Sequence, residues 1–270
     1  MQQDFLHATL GKLPTPVFRL GLSATYRPGK AAIHAAIDEG VNYLFCFHID
    51  TQMTAVLRDV LSRDRERYVV ATGAYNYIWW HQNLRRALEK RLRQLRTDYI
   101  DVFHFLGVTR GKEMTPRVWD EMNALREDSR VRAISISTHD RRFAGELAAR
   151  GALDAMMVRY NAAHRGAESD VFPHLAAHRP GVVSFTATRW RLLLRPPHGW
   201  PKDRPVPDAG MCYRFVLSNP HVDVAMTAPS NPRQLRDNLA AVRRGPLSPG
   251  EMAFMREFGD AVYRRYKRLP

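Results

Sequence analysis

A chain of 270 residues, 45% of them hydrophobic, can bury a full core, and its apolar runs are shorter than the roughly 20 residues of a membrane span. Two cysteines, Cys46 and Cys212, are too few for a disulfide scaffold and fit a reducing compartment. The net charge of +14 invites nucleic acid, yet only six of the 41 basic residues are lysine and the arginines are spread along the chain, with no cluster interleaved with aromatics.

The start, MQQDFLHATL, has no basic region leading into an apolar one, so a cytoplasmic protein without a membrane or nucleic-acid partner is expected. An anionic cofactor or substrate suits the charge better.

In chain order, strand-like and helix-like segments alternate. VFRLGLSA (17–24) reads as a strand, PGKAAIHAAIDEG as a helix closed by glycine, and VNYLFCF (41–47) as the next strand. A helix follows from Thr51, then a strand at 68–74. An amphipathic helix carries Leu84, Ala87, Leu88, Leu92 and Leu95 on one face. Strands at 99–106, 131–137, 153–160, 181–187 and 222–228 complete the set. PRVWDEMNALRED, RRFAGELAARG, AESDVFPHLAAHR and PRQLRDNLAAVRR read as helices, and LSPGE starts a last one. Most strands are apolar throughout, as strands buried on both faces are. Eight of them alternating with helices predict an α/β fold, a (β/α)8 TIM barrel formed as one domain over residues 1–270. The runner-up is a doubly wound open sheet, but LGLSATYRPG lacks its G-x-G-x-x-G fingerprint.

A barrel of this kind works at the C-terminal ends of its strands. That directs attention to 45–50, 73–77, 104–109, 137–139, 157–161, 185–191 and 226–231. GVNYLFCFHID is one such end, a strand delivering His48 and Asp50.

Several stretches resemble the aldo-keto reductase family. They are RLGLSA, DEGVNY, TDYIDVFHF, VRAISIS with the Thr after it, VRYNAAHRGAE, VVSFTA and SNPRQLRDNLAA, in the right order over nearly the whole chain. FLHATLGKLPTPVF is similar to the N-terminal β-hairpin that plugs the barrel bottom in that family, whose members also carry extra C-terminal helices. The resemblance implies NADP(H)-dependent carbonyl reduction by a Tyr that donates a proton, a Lys that lowers its pKa, an Asp paired with the Lys, and a His that orients the carbonyl. In register, the Asp falls on Phe45, the Tyr on Asp50, the Lys on Gly73 and the His on Leu106, so all four are replaced. The replacement is coherent, because a buried Lys without its Asp costs about 3–5 kcal/mol and here both are gone.

The resemblance also places a cofactor site. Ser137 and Thr138 stand where a Ser-Asn pair holds the carboxamide, Met157 replaces a Gln, and Phe185 can stack under the nicotinamide. Thr186 and Arg189, with Arg191, replace the loop around the pyrophosphate, where arginines can bind phosphate. Ser230, Arg233, Gln234, Asp237 and Asn238 match the adenosine end, whose helix start faces phosphate and favours NADP(H) over NAD(H). A capped terminal helix explains the same residues without a ligand.

Three side chains are candidates to replace the lost acid and base: Asp50, His104 and Tyr75, with Tyr77 beside the last. His104 shares the parity of Leu106 and belongs one layer deeper in the barrel. Each has a structural reading: Asp50 as a helix N-cap, His104 as a hydrogen-bonded core residue, the tyrosines as packing. His139 and His164 lie on the same face. His174 and His178 have i, i+4 spacing without a third ligand, so no metal site is expected, and Cys46 reads as an inert core thiol. Tyr75, Tyr77, Trp79, Trp80, Trp190 and Trp200 suggest a flat or apolar small-molecule substrate, or a lid. Three functions are compatible: an NADP(H)-binding oxidoreductase with non-standard residues, a non-redox cyclase, dehydratase or isomerase, or a non-catalytic binding or regulatory pseudoenzyme.

Overall fold

Segments apolar on both faces must be covered on both sides, and here they line a barrel and carry helices outside it. The computed structural model describes residues 4–47, 49–76 and 83–266. Its elements begin with β1 (His7–Ala8), β2 (Val17–Phe18), β3 (Leu20–Ser23), α1 (Lys30–Asp38), β4 (Tyr43–Phe45) and α2 (Thr51–Arg63). They continue with β5 (Val69–Tyr75), α3 (Leu84–Leu95), β6 (Ile100–Val108), α4 (Pro116–Glu127), β7 (Val131–Thr138), α5 (Arg141–Ala149), β8 (Ala155–Arg159) and α6 (Ala167–Asp170). The chain then forms β9 (Gly181–Phe185), α7 (Ala209–Leu217), β10 (Val224–Thr227), α8 (Pro232–Val242) and α9 (Pro249–Tyr266).

Strands β3 to β10 run parallel and close, with β10 pairing both β9 and β3. This is the predicted (β/α)8 barrel; the open-sheet alternative fails at that closing pair. The β1–β2 pair is an antiparallel hairpin apart from the barrel, and Leu10, Leu13 and Val17 from it join the inner core with Tyr43, Val69 and Val102. Gly11 makes that approach possible: its φ is 58°, and a Cβ there would meet the Asp154 carbonyl oxygen at 2.7 Å. A second core lies between barrel and helices, each fully buried Leu or Ile contributing about 1.5–3 kcal/mol.

The acidic residue in TDYIDVFHF has a structural role. Asp101 is buried and accepts from the Val70 amide at 2.8 Å, Arg65 at 2.7 Å and Arg132 at 3.2 Å. Tyr99 lies between the two guanidinium groups, 3.6 and 3.9 Å from its ring centre. Three predicted features differ. The helix expected over AESDVFPHLAAHR stops at Asp170 because Pro173 cannot continue it, and a 3-10 turn (Phe172–His174) follows. On α3, Arg91 rather than Leu92 is fully buried. α7 was not anticipated, although Asp208 caps it by accepting from the Met211 amide. No helix among the described residues is long and apolar enough to cross a membrane.

Candidate active site

Strand parity puts Tyr43 and Phe45 of β4, Ala71 of β5, Leu106 of β6, Met157 of β8 and Val183 of β9 inside the barrel. At the C-terminal ends the layer above them is Phe47, Tyr75, Phe185 and Met226, all half-buried against that inner core. Phe47 stands edge-on to Tyr75 at 5.1 Å and 6.3 Å from Phe45. Tyr75 lies beside Gly107, whose φ of 83° falls where the pairing of β6 and β7 slips by a bulge. Ser137 holds that bulge by accepting from the Gly107 amide at 3.3 Å. The mouth is therefore apolar and aromatic, with one phenol on its rim strand.

His104 does sit one layer deeper, as parity predicted, but it is fully buried. Its Nε2 pairs with the Tyr43 hydroxyl at 3.3 Å, its Nδ1 has no hydrogen-bond partner, and the Phe45 ring covers it at 5.8 Å. Burial pushes its pKa down to about 3 and raises that of Tyr43. The pair is a neutral plug under Phe45, not a proton donor at neutral pH. Sequence reasoning missed Tyr43, although its parity with Phe45 was available. Gly73 faces His104 across the β5–β6 pair, and a Cβ at Gly73 would overlap the His104 carbonyl oxygen. The strands leave no space for a longer side chain where the family carries lysine.

Asp50 caps α2. Its Oδ1 accepts from the Met53 amide at 2.9 Å, and its buried Oδ2 has no hydrogen-bond partner. Burial raises its pKa, opposed by nearby amides and Arg27. The cap reading describes it; the amides of Gln52 and Ala24 and the Arg27 guanidinium lie near its carboxylate, and its own amide donates to the Phe47 carbonyl at 3.0 Å. Cys46 is buried, with its thiol pushed up to about 11. His48, Tyr77, Trp79 and Trp80 lie outside the described residues.

On the opposite wall, the expected cofactor residues separate into two groups. Thr138 is buried, and its hydroxyl accepts from the Asp140 amide at 3.0 Å at the start of α5. Met157 offers no polar group, and Phe185 is packed edge-on by His139 at 5.2 Å. In the loop after β9, Thr186, Arg189, Trp190 and Arg191 all have positive φ, a conformation that favours glycine. Arg189 does not face a phosphate site there. It is fully buried and donates to the carbonyls of Val262 (3.5 Å) and Tyr266 (2.6 Å), closing the end of α9. Asn238 is buried too, bonded to Thr227 at 3.1 Å, which in turn donates to Tyr213.

At α8 the surface is open. Ser230, Arg233, Gln234 and Asp237 are exposed; Arg233 and Asp237 form only a loose ion pair at 3.7 Å. Pro232 has no amide, and the Gln234 amide is taken by the Asn231 cap at 2.9 Å. An anion here is met chiefly by the Arg233 guanidinium. Trp200 is not a lid: it packs on Phe258 at 4.8 Å against α9. The histidines of HLAAH are not on one helix and pack against different glycines, His174 on Gly145 and His178 on Gly151. Among the described residues no group of three or more His, Cys, Asp or Glu could hold a metal.

A parallel eight-stranded barrel with a hairpin plug at one end and an aromatic mouth at the other is the architecture of a barrel enzyme. The sequence matches the aldo/keto reductase family over residues 25–190. No curated protein matches it. Among solved structures, the holo form of an aldo-keto reductase from Bacillus halodurans superposes with a TM-score of 0.77 at 20% identity, over 94% of this chain and 96% of that one. Its apo form gives 0.74 at 22% identity, over 94% and 96%. The chain belongs to the aldo/keto reductase family.

Proposed function

We propose that this family member is an NADP(H)-binding oxidoreductase acting on a small, flat or apolar organic substrate, with its proton donor outside the usual positions. The observation that carries this reading is the mouth itself: Phe47, Tyr75, Phe185 and Met226 form an apolar ring over the buried barrel core. Such a wall selects a flat ligand by area and shape. Tyr75, at the end of β5, is the group we assign as proton donor. The two buried free thiols support the cytoplasm as its compartment.

The residues fit the dinucleotide at one end. Exposed Ser230, Arg233 and Gln234 at the start of α8 suit the adenosine and ribose phosphate. At the other end Phe185 offers a stacking face, the Ser137 and Thr138 hydroxyls each accept one amide and keep an O–H to donate, and Met157 has no hydrogen bond to give. A bound NADP(H) supplies the hydride donor or acceptor; the chain's own part is to hold its adenosine end and shape a dry pocket. A non-catalytic, ligand-binding role is the second reading, favoured by the apolar Met157 at one of the carboxamide positions.

Fluorescence titration of NADPH into the protein tests the first reading, with saturation expected and weakened several-fold by Arg233→Ala. Tyr75→Phe is expected to abolish turnover of any accepted carbonyl while leaving NADPH affinity unchanged. No binding of NADPH would overturn the reading, and full turnover by the Tyr75 variant would remove Tyr75 from its role.

A further inference from the structure

One charged side chain at the mouth has no counterpart. Arg159 ends β8, an otherwise apolar strand, with the parity of Met157 and in register with Phe185. It is half-buried, and its Nη1 is shielded from solvent without a hydrogen-bond partner. The carboxylates on this side are engaged elsewhere: Asp170 with Arg141 at 3.0 Å, Glu168 with Arg256 at 2.9 Å, and Asp260 with Arg165 at 2.7 Å. Burial first, and then the neighbouring charges of Arg141 and Arg189, disfavour its own charge.

His164 supplies the second observation. It is 6% exposed, and its Nε2 is buried with no partner. Asn161 fixes the turn that carries it, its Oδ1 accepting from the His164 amide at 2.9 Å, and Tyr263 packs edge-on against the ring at 5.5 Å. Burial and then the neighbouring Arg159 hold the imidazole neutral, at a pKa of about 3. A neutral ring still offers one N–H. His139, on Phe185, also feels Arg159. A guanidinium taken partly out of water among other cations is costly unless an anion joins it.

We propose that Arg159, with the buried His164 on the turn that follows, is a recognition site for an anionic oxygen group at the edge of the aromatic mouth, taking the carboxylate or phosphate of a ligand whose apolar body lies across that mouth. This rests on the apolar-substrate reading above and adds to it: the substrate class becomes a flat organic acid. A guanidinium fork can meet an oxyanion with two N–H donors, and an imidazole N–H can add a further one.

The test is calorimetric titration of the intact protein with a naphthalenecarboxylate, the matching uncharged carboxamide, and NADPH. The carboxylate is expected to bind at least about tenfold tighter than the carboxamide. Arg159→Gln removes that preference, and Arg159→Lys, which keeps the charge, retains part of it and controls for folding. Loss of preference with NADPH affinity unchanged assigns the site to the substrate; a comparable loss for NADPH, with the carboxylate unaffected, assigns the oxyanion to the dinucleotide's phosphates. Equal binding of carboxylate and carboxamide, with no effect of Arg159→Gln on NADPH, overturns the anion site alone. Failure of both aromatic probes to bind overturns the apolar-substrate reading together with it.

Discussion

The two halves of the barrel mouth differ in what their side chains offer. On the β4–β6 wall the polar groups are buried, capped or missing: Phe45 and Gly73 stand where charges are expected, His104 is plugged under Phe45, and Asp50 is a helix cap. On the β7–β10 wall charge is present, in Arg159 at the rim and Arg233 exposed at α8, beside the neutral imidazoles of His139 and His164. One barrel thus presents an apolar wall and a wall carrying cationic side chains. The lesson is that retention of a fold and retention of a reaction are separate questions, answered wall by wall.

The sharpest way to break this contrast is to restore the lost charge. Gly73→Lys is expected to destabilise the protein by about 3–5 kcal/mol, because the new side chain overlaps the His104 carbonyl and lacks a carboxylate partner. Denaturant unfolding checks this, and a lysine variant as stable as the parent would show that the wall is not closed. Next in size is Arg189→Met, which removes a buried cap from α9. A loss of about 2 kcal/mol is expected, with NADPH affinity unchanged; weakened NADPH binding in a folded variant would return Arg189 to the cofactor site.

The plug predicts a pH dependence. His104 is neutral in the folded protein, with its pKa lowered from 6.5 to about 3, whereas the unfolded chain protonates it near the ordinary value. Its contribution is therefore complete above pH 6.5 and lost as pH falls toward 3. One such group gives a slope of up to about 1.4 kcal/mol per pH unit. Stability of wild type and His104→Leu, measured across that window, is expected to differ in slope by about one proton; parallel curves would place His104 in contact with water. The smallest effect is at Asp50. Asn caps helices as well as Asp, so Asp50→Asn is expected to change stability by less than about 0.5 kcal/mol and to leave ligand turnover intact. A large loss of turnover would make Asp50 part of the chemistry.

The fold was legible because eight apolar stretches flanked by caps and glycines leave few other arrangements, and every predicted strand overlaps an observed one. Helix ends set by one residue were harder: Pro173 cut a helix short, and α7 between β9 and β10 is apolar and buried on nearly every side, so it reads as a core run rather than as a helical stripe. In the site, parity placed His104 and Tyr75 correctly, since alternation along a strand is local. What the side chains bond to is not local. The Thr138 hydroxyl turns to Asp140, Arg189 reaches helix carbonyls 73 and 77 residues away, and Tyr43 meets His104 across 61 residues. Arg159 did leave a signal, a charged residue ending an apolar strand at the functional face, and it was overlooked beside the titratable candidates.

The central proposal is that NADP(H) is held chiefly at its adenosine end, with Met157 offering the nicotinamide end no hydrogen bond. Calorimetric titration comparing NADPH with the adenosine bisphosphate half of the same molecule tests it most directly. With Met157 apolar and the nicotinamide end only weakly held, the two ligands are predicted to bind within about threefold of each other. NADPH binding about a hundredfold tighter than its adenosine half, or no binding of either, would contradict the account.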